Sequence, residues 1–124
     1  MNKYILFVDD NEDVLGINSK IAEKANYTFM TAKNGNEAIR LLEDILSEKR
    51  DLPSLIVSEI KMVSKPKGIE LINKYRELCP NTPIIVVTSL IDGYLEDLNR
   101  MKIPYFEKPY KVSPLINKIN DMIE

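Results

Sequence analysis

The sequence predicts an α/β domain with a five-stranded parallel sheet, doubly wound, with helices on both faces. Four short apolar runs and one segment rich in β-formers read as strands, and the first run lacks the alternation of a half-exposed strand, which is typical of a strand that is covered on both faces. Between them lie longer segments whose apolar residues recur with helical spacing. Such strict alternation gives parallel strands joined by right-handed crossovers. With 124 residues, the chain has the size of one domain, and we expect residues 1–124 to form it.

The first strand is predicted from the apolar run Tyr4–Val8. Asn11 is the predicted cap of a first helix that runs to about Ala25, with two acidic residues in its first turn complementing the helix dipole. The segment 27–32 is rich in β-formers and predicts the second strand. The apolar face of the first helix is predicted to consist of Val14, Ile17, Ile21 and Ala25.

The second helix follows the turn signal Asn34-Gly35, and Asn36 is its predicted cap. Residues 55–60 predict a third strand, and a third helix is expected after Gly68. The apolar stripe of the second helix is predicted at Ala38, Ile39, Leu42, Ile45 and Leu46. The predicted core positions of the third helix are Ile69, Leu71, Ile72, Tyr75 and Leu78.

The last third of the chain predicts two more strands and two more helices. Residues 84–87 form the fourth apolar run, and a fourth helix is expected from Leu90 to about Met101, interrupted by Gly93. A short fifth strand is predicted at 103–106. The last helix is expected to start near 111–114, because proline suits a first turn. Its predicted core positions are Leu115, Ile116, Ile119, Met122 and Ile123.

Composition excludes several classes of protein. The chain has 17 basic and 19 acidic residues, no histidine and one cysteine. No overall positive field recruits nucleic acid or an anionic membrane. The lack of histidine disfavours hydrolase triads and the commoner zinc sites. The longest uncharged stretch, 78–91, is too short to span a bilayer, and the first apolar run is too short for a signal peptide. We therefore expect a cytoplasmic protein without membrane contact.

Polar side chains follow the predicted strands at their carboxyl ends. In parallel sheets these ends meet at one edge, where ligands bind. The adjacent acids Asp9 and Asp10 would be costly at the end of a buried strand without a cation, which favours a metal-type site. The ammonium group of Lys61 would be an alternative source of positive charge. The set of strand-end polar residues is Asp9, Asp10, Glu59, Thr88, Ser89, Glu107 and Lys108.

Four segments in this order resemble a response-regulator receiver domain, the phosphorylation module of two-component signalling, over essentially the whole chain: Asp9-Asp10, 31–38, Thr88-Ser89 and 105–110. The resemblance implies a flavodoxin-like fold. It also implies a Mg²⁺ site, a phosphoryl-binding pair and a switch. The implied Mg²⁺ ligands are Asp9, Asp10 and the main-chain carbonyl of Lys61; Thr88 and Lys108 would hold the phosphoryl group, and Thr88 and Tyr105 would form the switch.

One departure from that pattern bears on function, because the phosphoacceptor aspartate of the family is Glu59 here. Val63 stands where the family has proline, and Gly68 comes one residue later than usual. The additional methylene moves the carboxylate by roughly 1.5 Å, one C–C bond length. A displacement of about 1 Å can lower a rate on the order of 100-fold. We therefore expect phosphotransfer to Glu59 to be slow or absent, and Mg²⁺ binding stays open because of Glu59 and Lys61.

Three hypotheses follow from the sequence. The first is an atypical receiver that acts as a protein-interaction module in a phosphorelay, independent of phosphorylation or with Glu59 imitating a phosphoaspartate. Its partner would bind through the fourth helix, the fifth strand and the last helix, and it would not bind nucleic acid directly. The second is a conventional receiver in which Glu59 accepts a phosphoryl group from a histidine kinase. The third is a Mg²⁺-dependent phosphatase of the haloacid-dehalogenase type, although Asp9-Asp10-Asn11 lacks the Asp-x-Asp of that class.

Overall fold

The strands form one parallel sheet in a computed structural model that describes residues 3–89 and 91–123. The strand order is β2-β1-β3-β4-β5, which confirms the predicted five-stranded parallel sheet. The strands are β1 Tyr4–Val8, β2 Thr28–Ala32, β3 Leu55–Ser58, β4 Ile84–Thr88 and β5 Tyr105–Glu107. The helices are α1 Glu12–Lys24, α2 Gly35–Ser47, α3 Gly68–Leu78, α4 Leu95–Arg100 and α5 Val112–Ile123, with a 3₁₀ turn at Ile91–Gly93.

Helices cover both faces of the sheet, as the uninterrupted apolar strands predict. Alternate residues of each strand point to opposite faces, so Leu6 and Ile56 pack with α2, α3 and α4. Phe7 and Val57 pack on the other face with α1 and α5. The central strands are fully buried, and burial of their side chains on both faces is the main favourable term that holds the sheet together.

The cap of α1 is confirmed, whereas its predicted apolar face is partly wrong. The Asn11 side chain accepts a hydrogen bond from the Asp13 backbone N–H at 2.9 Å. Ile17, however, is 50% exposed, because the helix turns Leu15 and Ala22 toward the sheet instead. Asn18 is buried on the same face, so the row that packs on the sheet includes a polar residue, which an apolar periodicity does not detect.

The predicted cap of the second helix is also wrong. Asn34 caps α2, since its side-chain oxygen accepts from the Glu37 backbone N–H at 2.8 Å, and the helix begins at Gly35. Asn36 lies within the first turn and is exposed. Both asparagines suit a cap, but only Asn34 has the extended backbone that a cap requires.

The connection between β4 and β5 differs from the single helix that the sequence predicts. It consists of the 3₁₀ turn followed by the six-residue α4; the predicted start at Leu90 lies outside the described residues. The predicted fifth strand is displaced by two residues at its start. Ile103 belongs to the turn that ends α4, because its N–H donates to the Leu98 carbonyl at 2.9 Å. The residues of β5 pair with β4 from Tyr105 onward.

Candidate functional site

The carboxyl ends of β1, β3, β4 and β5 bring the predicted site residues to one edge of the sheet. Val8 pairs with Ser58, so the residues that follow them, Asp9 and Glu59, lie side by side. On the other side, Thr88 pairs with Glu107, which places Lys108 next to the end of β4. The sheet register alone therefore assembles the acid, the glutamate and the lysine that the sequence predicts to meet.

Lys108 lies between the two acids. Its Nζ is 2.6 Å from Asp9 Oδ2 and 3.0 Å from Glu59 Oε1. The side chains of Asp9 and Glu59 are 1% and 4% exposed, and that of Lys108 is 17% exposed. We call this set the ion triplet. Lys108 is the cation that contacts both buried carboxylates and offsets one of their two negative charges, so its removal would leave both acids without a positively charged partner.

Backbone amides hold the remaining carboxylate oxygens. Glu59 Oε2 accepts from the Ile60 and Lys61 N–H groups at 2.9 and 3.0 Å. Asp9 Oδ1 accepts from the Asn11 N–H at 2.9 Å. Each oxygen of the two buried carboxylates therefore has a donor within the protein. The glutamate does not extend freely into the crevice; its carboxylate is turned back onto the chain that follows β3.

The pKa values of Asp9 and Lys108 are shifted by burial and by these contacts. Burial raises the pKa of the Asp9 carboxyl group, although Lys108 and the Asn11 amide act in the opposite direction. Burial also acts to lower the pKa of Lys108, but hydrogen bonds and charge attraction from Asp9 and Glu59 outweigh it, so the pKa lies above its ordinary value of 10.5. Lys108 is therefore an ammonium ion at neutral pH, available as a positive charge and not as a nucleophile.

The other predicted site residues lie around the ion triplet. Thr88 is fully buried at the end of β4, and its carbonyl accepts from the Lys108 N–H at 2.9 Å. Tyr105 is half-buried on β5 opposite Val86. Asp10 and Lys61 are exposed, so their side chains take no part in the compensation of Asp9 and Glu59.

These donors do not fit a divalent cation in their present arrangement. Mg²⁺ prefers octahedral oxygen ligands at about 2.0–2.1 Å. The oxygens of Asp9 and Glu59 instead bind the Lys108 ammonium or backbone N–H groups. Within 3–89 and 91–123, no three Asp, Glu or Cys side chains come together as a metal-binding group. A metal ion that used Asp9 Oδ2 would have to displace Lys108 from that oxygen.

Sequence reasoning missed a buried hydroxyl pair behind Glu59. Ser58 Oγ donates to the Glu59 carbonyl at 2.7 Å, and it is also hydrogen-bonded to the Tyr75 hydroxyl at 2.9 Å. Burial raises the pKa of Tyr75, which keeps its proton at all physiological pH values. The pair connects α3 to the backbone of the site. A serine inside an otherwise apolar strand is the only signal in the sequence that indicates it.

The loop after Glu59 packs against the start of α2. The Gly68 N–H donates to the Ile60 carbonyl at 2.7 Å, and Gly68 itself has a left-handed backbone with φ of 62°. Gly35 lies so close to the Pro66 carbonyl oxygen that any Cβ at position 35 would collide with it. These contacts fix the loop whose first amides bind the Glu59 carboxylate.

Comparison with curated proteins finds relatives in bacterial signalling. The chain is 36% identical over 89 residues to the alkaline phosphatase synthesis transcriptional regulatory protein PhoP of Bacillus subtilis, a match that covers 72% of this chain and 34% of that protein. It is 26% identical to sporulation initiation phosphotransferase F of the same organism, over 93% of this chain and 89% of that protein. The chain thus spans about a third of the first relative and most of the second.

Solved structures share the fold over nearly the whole chain. A CheY-like response regulator receiver protein from Methanospirillum hungatei has a TM-score of 0.83 at 26% identity, covering 99% of this chain and 94% of that one. The response regulator TrrA from Thermotoga maritima, crystallised with Mg²⁺-BeF, has a TM-score of 0.79 at 26% identity and covers 97% and 98%. The family model described as the response regulator receiver domain matches residues 5–120. With that match and this strand order, the chain belongs to the response regulator receiver domains of two-component signalling.

Proposed function

We propose that this chain is an atypical receiver whose output is protein binding that does not depend on phosphorylation. The observation that carries the proposal is that both oxygens of the Glu59 carboxylate already have partners. One oxygen binds Lys108, and the other accepts hydrogen bonds from two backbone N–H groups. An attacking carboxylate needs a lone pair in line with the phosphodonor. Three of the roughly four acceptor sites of the Glu59 carboxylate are occupied by these contacts, and the site that is left lies on Oε1, the oxygen that contacts Lys108.

The same contacts support a partial imitation of the phosphorylated state. In this proposal Glu59 supplies a permanent negative charge to Lys108, as a phosphoryl group on an aspartate would. The imitation is incomplete, because one carboxylate charge replaces a phosphoryl charge of about −1.5 to −2. A contact shifts a two-state equilibrium only by its differential strength in the two states, so Glu59 biases the domain without fixing it in one state.

A protein partner is proposed to bind the surface formed by α4, β5 and α5. Receiver domains interact with histidine kinases and with other proteins, and this surface lies beside the ion triplet through Lys108, the residue directly after β5. Tyr105 on β5 is half-buried, so part of this aromatic side chain remains accessible to a partner on that surface.

Intact mass after incubation with a small phosphodonor and Mg²⁺ tests the proposal. The parent protein and the variants E59D and E59Q are compared under identical conditions. We expect phosphoryl addition to E59D only, because the shorter side chain restores the reach of an ordinary phosphoacceptor.

Labelling of the parent as complete as that of E59D contradicts the proposal and supports the conventional receiver. E59Q is the matched control, since label that persists in it would come from another residue. Partner affinity gives the test of mimicry: equal binding by the parent, E59D and E59Q would exclude a contribution from the Glu59 charge. Turnover of a generic phosphomonoester by the parent protein would support the phosphatase hypothesis instead.

A further inference from the structure

We propose that Lys108 is the resident cation of this site and that it competes with Mg²⁺ for the acids instead of acting beside the metal ion. The inference deepens the proposed function, since a site that does not carry out phosphotransfer has no requirement for a metal ion. Its evidence is independent of phosphorylation and consists of the contacts of three side chains, Asp9, Glu59 and Lys108.

The first step concerns charge compensation. Asp9 and Glu59 are almost completely buried, and both contact the same nitrogen atom. Two carboxylates that contact the same nitrogen atom are close enough to repel one another. Lys108 offsets part of that repulsion from within the chain, so one of the two negative charges is compensated before any ion binds.

The second step concerns what Mg²⁺ would displace. An ion that binds Asp9 through Oδ2 would displace Lys108 Nζ, which contacts that oxygen at 2.6 Å. The ammonium group would then remain beside a doubly charged cation, and the two would repel. Asp10 is the exposed acid of the pair; without Asp9 it supplies a single carboxylate, the lower end of the one or two that Mg²⁺ sites usually use, so we expect weak binding and not its complete loss.

The third step concerns the length of the glutamate side chain. Glu59 reaches Lys108 with one oxygen while the other folds back onto the N–H groups of Ile60 and Lys61. A carboxylate that is shorter by roughly 1.5 Å, one C–C bond, cannot make all three contacts in the same backbone. In E59D we therefore expect oxygens that are free for a metal ion and a Lys108 that is held less tightly.

A Mg²⁺ titration followed by amide NMR tests the inference. The variants are E59D and K108M, and K65M is the matched control because Lys65 is an exposed lysine in the neighbouring loop. We expect the amides of Asp10, Asn11 and Lys61 to report an apparent affinity at least about tenfold higher in E59D than in the parent, on the scale of second-shell effects on metal affinity. K108M should also gain affinity, and K65M should titrate like the parent.

A second readout guards against misfolded variants. The thermal midpoint in MgCl₂ and in EDTA should agree for the parent and should rise with MgCl₂ for E59D, since a ligand stabilises the state that binds it. Equal Mg²⁺ affinity in the parent and E59D would overturn the inference, as would K108M titrating like K65M. If the parent binds Mg²⁺ tightly but is not labelled by the phosphodonor, this inference is wrong and the proposed function is not contradicted. A labelled parent would contradict the proposed function whatever its metal affinity.

Discussion

Behind the ion triplet, one hydroxyl chain connects the core to the backbone of the site. The Tyr75 hydroxyl donates to Ser58 Oγ, because the serine uses its own proton toward the Glu59 carbonyl. Both side chains are fully buried. Helical spacing predicts Tyr75 as a core residue, but the destination of its hydroxyl depends on how α3 lies on the sheet, which a periodicity does not specify.

We expect Y75F to lower the free energy of unfolding by about 1 kcal/mol, the usual net contribution of one hydrogen bond. Urea denaturation measures this change. Y105F is the matched control, since the Tyr105 hydroxyl has no hydrogen bond to the residues that the structure describes, and it should change stability little. If the two variants lose equal stability, the Ser58 contact contributes nothing specific.

The residues at the strand ends show how much of the site is predictable from the sequence. Asp9, Glu59, Thr88 and Lys108 are predictable because strand ends in a parallel sheet converge and the family motifs mark them. The direction of the Glu59 carboxylate is not predictable, because it depends on amides of the following loop. Nor does the sequence predict that Asp10 stays exposed beside a buried Asp9.

At the level of the elements, the start of α2 supports the loop beside the site. Gly35 is buried there and lies against the Pro66 carbonyl oxygen, so no larger residue fits unless the loop moves. Gly16 in α1 provides a contrast, because a Cβ at that position would have no atom within 4 Å. Both glycines lie in helices, but only Gly35 leaves no room for a side chain, because the loop that contains Pro66 packs against it.

We expect G35A to lower the free energy of unfolding by about 1–3 kcal/mol, the usual cost of overpacking a close contact. G16A should instead raise it by about 0.4–1 kcal/mol, since alanine is the better helix former and restricts the unfolded chain. Urea denaturation of both variants measures the difference. If G35A is as stable as G16A, the loop yields easily and does not hold the amides of Ile60 and Lys61 in place.

Within the described residues, element types are predictable except between β4 and β5, where a 3₁₀ turn and a short helix replace the single predicted helix; element boundaries are less predictable. The alternation of apolar runs and helical stripes predicts the strands and helices of the sheet correctly. The cap at Asn34 and the start of β5 at Tyr105 are missed, because neighbouring asparagines and apolar residues satisfy the same local preference. In both places the backbone of the surrounding fold determines which residue is used.

The molecule as a whole places several weakly acidic groups in its interior. Burial raises the pKa of Tyr75 and Tyr110 above the ordinary value of 10.0. The pKa of Lys108 is raised as well, through Asp9 and Glu59. For each group the folded state holds the proton more tightly than the unfolded chain does. Its contribution to stability is therefore complete below the unfolded pKa and is lost as pH rises through the folded pKa.

We therefore expect the free energy of unfolding to fall as pH rises above about 10, the ordinary range of these groups. Urea denaturation at a series of pH values from neutral to alkaline measures the slope. Y110F should reduce the slope, because the Tyr110 hydroxyl, which donates to Asn18 at 2.6 Å, would no longer titrate. A stability that does not change across this range would contradict the expectation. Within the described part of the chain, no helix is long and apolar enough to cross a membrane.

The position of the Glu59 carboxylate also bears on how long a signal lasts. An acyl phosphate hydrolyses, so a phosphorylated receiver returns to its resting state on its own. A negative charge that is part of a side chain has no lifetime, and under the proposed function no phosphatase is needed to remove it. The duration of the response would then be governed by how much of the protein the cell makes and by how quickly its partner dissociates.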